Sequence, residues 1–141
     1  MRLHEAKKLE LDAKQAILVQ EAICATLCMV TQAHIWHWQT KSYAAHTALG
    51  NYYEFLQGEV DTLAEVFMGA GGSFAFHDHK EIVNFTTTED VQARLTNFKT
   101  ELSDAETVLM SDDNKPLHGA GDIILDIIKE TDKLLYLLTL E

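Results

Sequence analysis

The sequence has few of the residues that interrupt helices. Its 141 residues include seven glycines and a single proline, and no β-branched run is bounded by turn signals. Strands are therefore not expected. A chain of this length buries about two-thirds of its unfolded surface, so it needs neither a metal nor a disulfide to fold. The two cysteines, Cys24 and Cys28, lie one turn apart and are interpreted as small buried hydrophobes. The sequence predicts an all-α fold and one domain spanning residues 1–141.

Basic residues are also scarce. Lys and Arg number 11 against 22 Asp and Glu, giving a formal charge of -11. This balance argues against a phosphate-binding surface. The lysines near the N-terminus are interspersed with acids inside a predicted helix and form no flexible tail, so direct nucleic-acid binding is not expected. The N-terminus lacks the apolar core of a signal peptide and no later run reaches roughly 18 apolar residues. We therefore expect a soluble, cytoplasmic protein without a membrane partner.

Apolar residues recur at helical spacing in four segments. The predicted helices are A, from about Glu5 to Thr40; B, from about Ala44 to Met68; C, from Thr87 or Thr88 to about Leu109; and D, from about Asp122 to Leu140. The A–B and C–D connections are short, whereas residues 73–87 are long enough to cross the whole bundle. One long crossover between B and C is the connectivity of ferritin-like four-helix bundles.

Histidines and acids near the A–B turn are the candidate metal ligands. His34 and His37 continue the apolar stripe of helix A, although His34 alone is interpreted as a packed histidine. Asp61 and Glu65 lie one turn apart on helix B. Imidazole with carboxylate suits iron, zinc or manganese. His46 and Asp61 are 15 residues apart, about 22 Å along one helix. If these residues form one site, that site is intersubunit, and two copies of helix B paired antiparallel about a two-fold axis could build it.

The pattern resembles the mini-ferritins usually called Dps proteins. The resemblance lies in His37-Trp38, in His46, in the segment from Glu59 to Glu65, and in Gly71-Gly72. It implies that His37 and His46 of one chain, with Asp61 and Glu65 of its partner, bind Fe(II). It also implies ferroxidase activity with peroxide or dioxygen, ferric iron storage and protection against oxidative damage. The family expectation is a homo-oligomeric shell of twelve copies, with a dimer through helix B as the minimum; Zn or Mn are alternative ions for the same site.

Two features depart from that family. The A–B turn is shorter, and Gly50 stands where many members have an acid one turn after the helix B histidine. The missing acid predicts one firm iron position and a labile second. These departures also leave a second interpretation open, in which a ferritin-like bundle serves as an assembly or interaction module and its metal site is partial or vacant.

Two further segments are the dimer face of helix B and a histidine-containing loop. Helix B is expected to pack on its symmetry mate, and the residues expected near the axis are Leu49, Tyr52, Tyr53 and Leu56. The segment His77-Asp78-His79 has two histidines in a loop without a cysteine or an ordered acid nearby. It is therefore interpreted as a polar loop and not as a metal site.

Overall fold

A computed structural model describes residues 12–77, 79–111 and 117–140. In these ranges the chain forms no strand and four helices: α1 (Ala13–Gln39), α2 (Tyr43–Gly69), α3 (Thr88–Ser111) and α4 (His118–Leu138). The predicted all-α fold is confirmed. Three parts of the sequence predictions lie outside the described residues: the start of helix A, residue 78 and the centre of the C–D connection.

The segment that joins α2 to α3 runs along the length of α1. The side chain of Gln20, near the start of α1, accepts a hydrogen bond from the Ala75 N–H at 3.1 Å, and that of Gln39, at its end, accepts from the Phe85 N–H at 2.6 Å. Helix α3 therefore begins beside the end of α1 and runs back along it, parallel to α2. Helices α1 and α4 each pack on both α2 and α3. This is the predicted ferritin-like bundle with a long crossover.

All four helices contribute to one hydrophobic core. Its largest fully buried side chains include Trp36, Tyr52, Phe67, Leu95 and Ile124. The helical spacing of apolar residues in helix A places Leu27 on its buried stripe. Leu27 is nevertheless 37% exposed, because the buried face passes instead through residues such as Met29 and Ala33. By length and composition alone, helix α1 could cross a membrane. The sequence prediction does not include it, because polar residues interrupt its apolar residues. Half of that apolar stretch is buried inside the bundle.

Polar side chains define the first residues of three helices. Asp12, Ser42 and Thr87 each accept a hydrogen bond from a backbone N–H in the first turn of α1, α2 and α3, respectively. Such caps pair N–H groups that have no partner within the helix. Asp12 itself has extended backbone angles, so α1 begins at Ala13, and helix A is not continuous through Asp12 as predicted.

Glycines end one helix and lie inside another. Gly71 follows α2 with φ of +102°, a backbone conformation that few other residues adopt. Helix α4, however, begins at His118 and not at the predicted Asp122. Gly121 is buried within it, and a Cβ atom there would lie 2.5 Å from Met110 Sδ. This glycine permits close approach of α3 and α4 and does not mark a turn.

Candidate metal centre

His37, near the end of α1, and His46, in the first turns of α2, face each other across the short turn. Their rings stack with centroids 3.8 Å apart and planes 15° apart. His37 Nδ1 lies 2.6 Å from the backbone oxygen of His46, and His46 Nδ1 lies 2.7 Å from the backbone oxygen of His37. The structure thus brings together two of the four predicted ligands within one chain.

These reciprocal hydrogen bonds determine which ring nitrogens are available. A carbonyl oxygen can only accept, so each Nδ1 carries the proton that it donates. In the neutral imidazole the lone pair is then on Nε2, which can bind a metal ion. Metal-ligating histidines usually make such a hydrogen bond from their other nitrogen, because it fixes the tautomer and the ring orientation. His37 and His46 therefore offer two oriented imidazole ligands.

Aromatic rings surround this histidine pair. His34 stacks on Tyr53 with centroids 4.0 Å apart, and the Trp38 ring lies 4.1 Å from His34 on another side. His34 is thus packed, in agreement with its interpretation from the sequence. Trp38 and Tyr43 are 67% and 83% exposed. Exposed aromatic side chains beside a polar cluster are typical of surfaces that become interfaces.

Gly50 lies against the His37 ring. A Cβ atom at this position would be 2.9 Å from His37 Cε1 and 3.1 Å from His37 Nδ1. Any side chain here would require the ring to move. The His37 ring therefore occupies the space into which an acidic side chain at residue 50 would project.

Asp61 and Glu65 lie on the exposed face of α2. Helix α2 is unbroken from Tyr43 to Gly69, so Asp61 remains about 22 Å from His46 along the axis. The described chain by itself therefore does not bring the acids to the histidine pair. Their assignment to an intersubunit site stays a prediction.

The predicted dimer residues on α2 require correction. Leu49, Tyr52 and Leu56 are 0%, 1% and 0% exposed within the single chain. They fill the core of their own bundle and are not available to a symmetry mate, because the buried stripe of α2 passes through them. Tyr53 is half-buried and remains accessible beside the histidine pair.

A second cluster of histidines and acids lies where the crossover passes between α1 and α3. His77 Nε2 is 2.9 Å from Glu21 Oε1, and His79 Nδ1 is 3.5 Å from Glu21 Oε2. One ligand atom from each of these three residues lies within 4.8 Å of the other two. Glu101 of α3 lies on the other side of His79, with its carboxylate oxygens 2.7 Å and 2.9 Å from His79 Nε2. The arrangement could hold a metal ion.

The interpretation of His77 and His79 as polar loop residues missed this cluster. Its reason was that no ordered acid is near in the sequence, but Glu21 and Glu101 approach from two helices once the crossover is in place. The His-x-His pattern was the only local signal. Cys24 Sγ lies 3.9 Å from His77 Nδ1, and burial raises the pKa of this thiol above its usual value, so the sulfur stays protonated near neutral pH.

The fold places the chain in the class of ferritin-like four-helix bundles. It is similar to the crystal structure of a DPS protein from Vibrio cholerae O1, described as a member of a broad superfamily of ferritin-like diiron-carboxylate proteins. The TM-score is 0.71 and the sequence identity is 14%, covering 89% of this chain and 87% of that chain. At this identity the likeness establishes the fold and not the chemistry.

Sequence comparison gives the family. The chain belongs to the family of unknown function DUF5856, which matches residues 37–138. This range begins at His37 and includes the other three predicted ligands. No curated protein sequence matches the chain.

Proposed function

We propose that this protein binds Fe(II) and oxidises it at a site shared between two copies of the chain, and that it stores the ferric product in a homo-oligomer. His37 and His46 of one chain and Asp61 and Glu65 of the partner subunit are the proposed ligands. The observation that supports this most directly is the histidine pair itself, in which both Nδ1 atoms are engaged by backbone carbonyls. Two Nε2 lone pairs are therefore available to the iron substrate.

The two kinds of ligand have different tasks. Imidazole nitrogen binds the ferrous ion, while anionic carboxylate oxygen favours Fe(III) and so favours loss of the electron to peroxide or dioxygen. The histidines alone would bind iron without strongly promoting its oxidation. The acids must therefore come from a second chain for the proposed reaction.

Helix α2 has a suitable face for this pairing. Its half-buried or exposed residues His46, Glu54, Asp61 and Glu65 lie on one side of the helix. In an antiparallel pair that aligns residue 46 of one chain with residue 61 of the other, the axis passes between residues 53 and 54. Tyr43, in the first turn of α2, and Trp38, at the end of α1 against His34, are exposed and would supply apolar contact area.

The test compares Fe(II) uptake and oxidation by the wild type with the double variant Asp61→Asn, Glu65→Gln. We expect loss of rapid oxidation with unchanged helix content, since both side chains are exposed. The matched control is Asp104→Asn, Glu106→Gln on α3, which removes the same charge elsewhere. Equal traces for wild type and the α2 variant would refute the site and favour the interaction-module interpretation.

A mixing experiment tests whether the site is intersubunit. Chains with His37→Gln and His46→Gln have intact acids, whereas chains with Asp61→Asn and Glu65→Gln have intact histidines. Unfolding and refolding an equal mixture should restore about a quarter of the wild-type sites, because half of randomly formed dimers carry one complete site of two. No recovery in verified mixed dimers would exclude a shared site.

A further inference from the structure

The cluster on the crossover joins three separate parts of the chain. Glu21 comes from α1, His77 and His79 from the crossover and Glu101 from α3. Three contacts link them, Glu21 with His77, Glu21 with His79 and His79 with Glu101, so the side chains already converge without any partner chain. This separates the cluster from the proposed iron site, which needs a second copy.

Glu101 determines the orientation of the His79 ring. A carboxylate only accepts, so the short contacts of 2.7 Å and 2.9 Å place a proton on His79 Nε2. In the neutral ring the lone pair is on Nδ1, which faces Glu21 Oε2 at 3.5 Å. A carboxylate that holds the distal nitrogen of a histidine while the other nitrogen binds metal is a recurrent arrangement in zinc sites.

We propose that Glu21, His77 Nε2 and His79 Nδ1 form an intrachain site for a borderline divalent cation of the Zn²⁺ type, with Glu101 as the positioning residue. Bonds of about 2.0–2.1 Å to a tetrahedral ion place ligand atoms about 3.4 Å apart. The two contacts of Glu21, at 2.9 Å and 3.5 Å, bracket that spacing. Small side-chain movements would therefore complete the three-ligand set, and the ion would displace the proton that His77 Nε2 donates to Glu21 Oε1 in its absence.

The surroundings allow both entry of an ion and adjustment of its ligands. The side chains of His77 and Glu21 are 46% and 36% exposed, whereas His79 is 11% exposed. Water can therefore reach a fourth position on the ion. A cavity of about 130 Å³ borders His79 and Glu101, which gives these two side chains room to move.

Binding of the ion would attach the crossover to the bundle. An ion held by Glu21 and both histidines would fix the crossover to α1, and the His79–Glu101 contact would extend the connection to α3. Glu21 and His37 are 16 residues apart on α1, about 24 Å. The crossover site and the proposed iron site are therefore distinct, and either can be lost without the other.

The experiment uses the full chain after treatment with a chelator. Zn²⁺ is titrated by calorimetry, and thermal unfolding is followed with and without Zn²⁺. The background is the His37→Gln, His46→Gln variant, which removes the histidine ligands of the other proposed site. We expect binding of one ion per chain at this site and a higher Tm. Adding His77→Gln and His79→Gln should remove it, whereas adding His118→Gln, on α4, should not.

Glu101→Gln provides the sharper test of the positioning role. It retains all three proposed ligands but no longer forces the proton onto His79 Nε2, so Zn²⁺ affinity should fall by roughly 10–100-fold without loss of stoichiometry. Should the double histidine variant fail to fold, hydrogen exchange of wild-type residues 73–87 replaces it, and Zn²⁺ should slow that exchange. If Zn²⁺ neither binds at this stoichiometry nor slows exchange, the cluster is a set of ion pairs only and the proposal is overturned.

Discussion

Replacing Gln32 should test how the crossover is attached to the bundle. Gln32 lies on α1 and is 1% exposed. Its Nε2 donates to the Val83 carbonyl at 2.8 Å, and its Oε1 accepts from the Val83 N–H at 2.8 Å. One side chain thus satisfies both backbone groups of Val83, as a neighbouring strand would. This contact lies between the outer attachments of the crossover at Gln20 and Gln39.

The expected cost of Gln32→Met follows from these two hydrogen bonds. Methionine has a similar volume but leaves the Val83 N–H and C=O without their partner. A buried unpaired group costs about 1–3 kcal/mol, and the half-buried position of Val83 favours the lower part of that range for each group. We expect a loss of roughly 2–3 kcal/mol in the free energy of unfolding. For a domain of this size, that lowers Tm by roughly 6–12 °C.

The assay is urea unfolding of the wild type, Gln32→Met, Gln32→Glu and the control Gln20→Met. Gln20 also holds the crossover, but through one exposed bond to Ala75, so its replacement should cost at most about 0.5 kcal/mol. Gln32→Glu still accepts from Val83 but presents an anion to the Val83 carbonyl. It should therefore be the least stable variant at pH 7 and recover in acid, when its carboxyl can donate. Equal stabilities for the two methionine variants would refute the reasoning.

Two further predictions concern titratable groups whose pKa is raised by burial. The Tyr52 hydroxyl donates to Thr131 Oγ1 at 2.8 Å, since Thr131 donates its own proton to the Ile127 carbonyl, so Tyr52→Phe should cost about 1 kcal/mol in urea unfolding. Burial raises the Tyr52 pKa, so wild-type stability should fall as pH rises above about 10, the unfolded value, and the variant should fall less. Burial, and then the nearby Asp126, raise the Glu59 pKa, so the ionised carboxylate opposes folding above that pKa. Glu59→Gln should therefore raise the free energy of unfolding by roughly 0.5 kcal/mol at pH 7, and this increase should disappear below about pH 4 in the same assay. An equal increase at both pH values would contradict this.

The helices and their order could be predicted from the sequence because they depend on local periodicity and on loop length. The boundaries that failed depend on contacts distant in sequence. Helix α4 starts four residues before the predicted residue because buried Gly121 packs beneath Met110 of α3, and a glycine that serves close packing cannot be distinguished from a turn glycine by position alone. Leu49 and Leu56 were assigned to a dimer because the pattern shows which residues are apolar but not which core they fill.

The candidate sites also divide into features that the local sequence predicts and features that depend on contacts distant in sequence. His37 and His46 are separated by one short turn, so helix periodicity was enough to bring them together. The mutual hydrogen bonds to backbone oxygens could not be predicted, because they depend on how closely the two helices approach above Gly50. Glu21 and Glu101 are 80 residues apart, and only the path of the crossover brings both of them to His79.

Each candidate centre contains at least one histidine whose other nitrogen is already engaged. In the pair at the α1–α2 turn the acceptors are backbone carbonyls, and in the crossover cluster the acceptor for His79 is Glu101. Such contacts fix a tautomer before any ion arrives, so binding need not reorganise the ring. Asp61 and Glu65, in contrast, are exposed acids of a kind common on helix surfaces, and nothing within the described chain orients them. Metal affinity in a single chain should therefore lie with the histidines, whereas iron oxidation should appear only when chains associate.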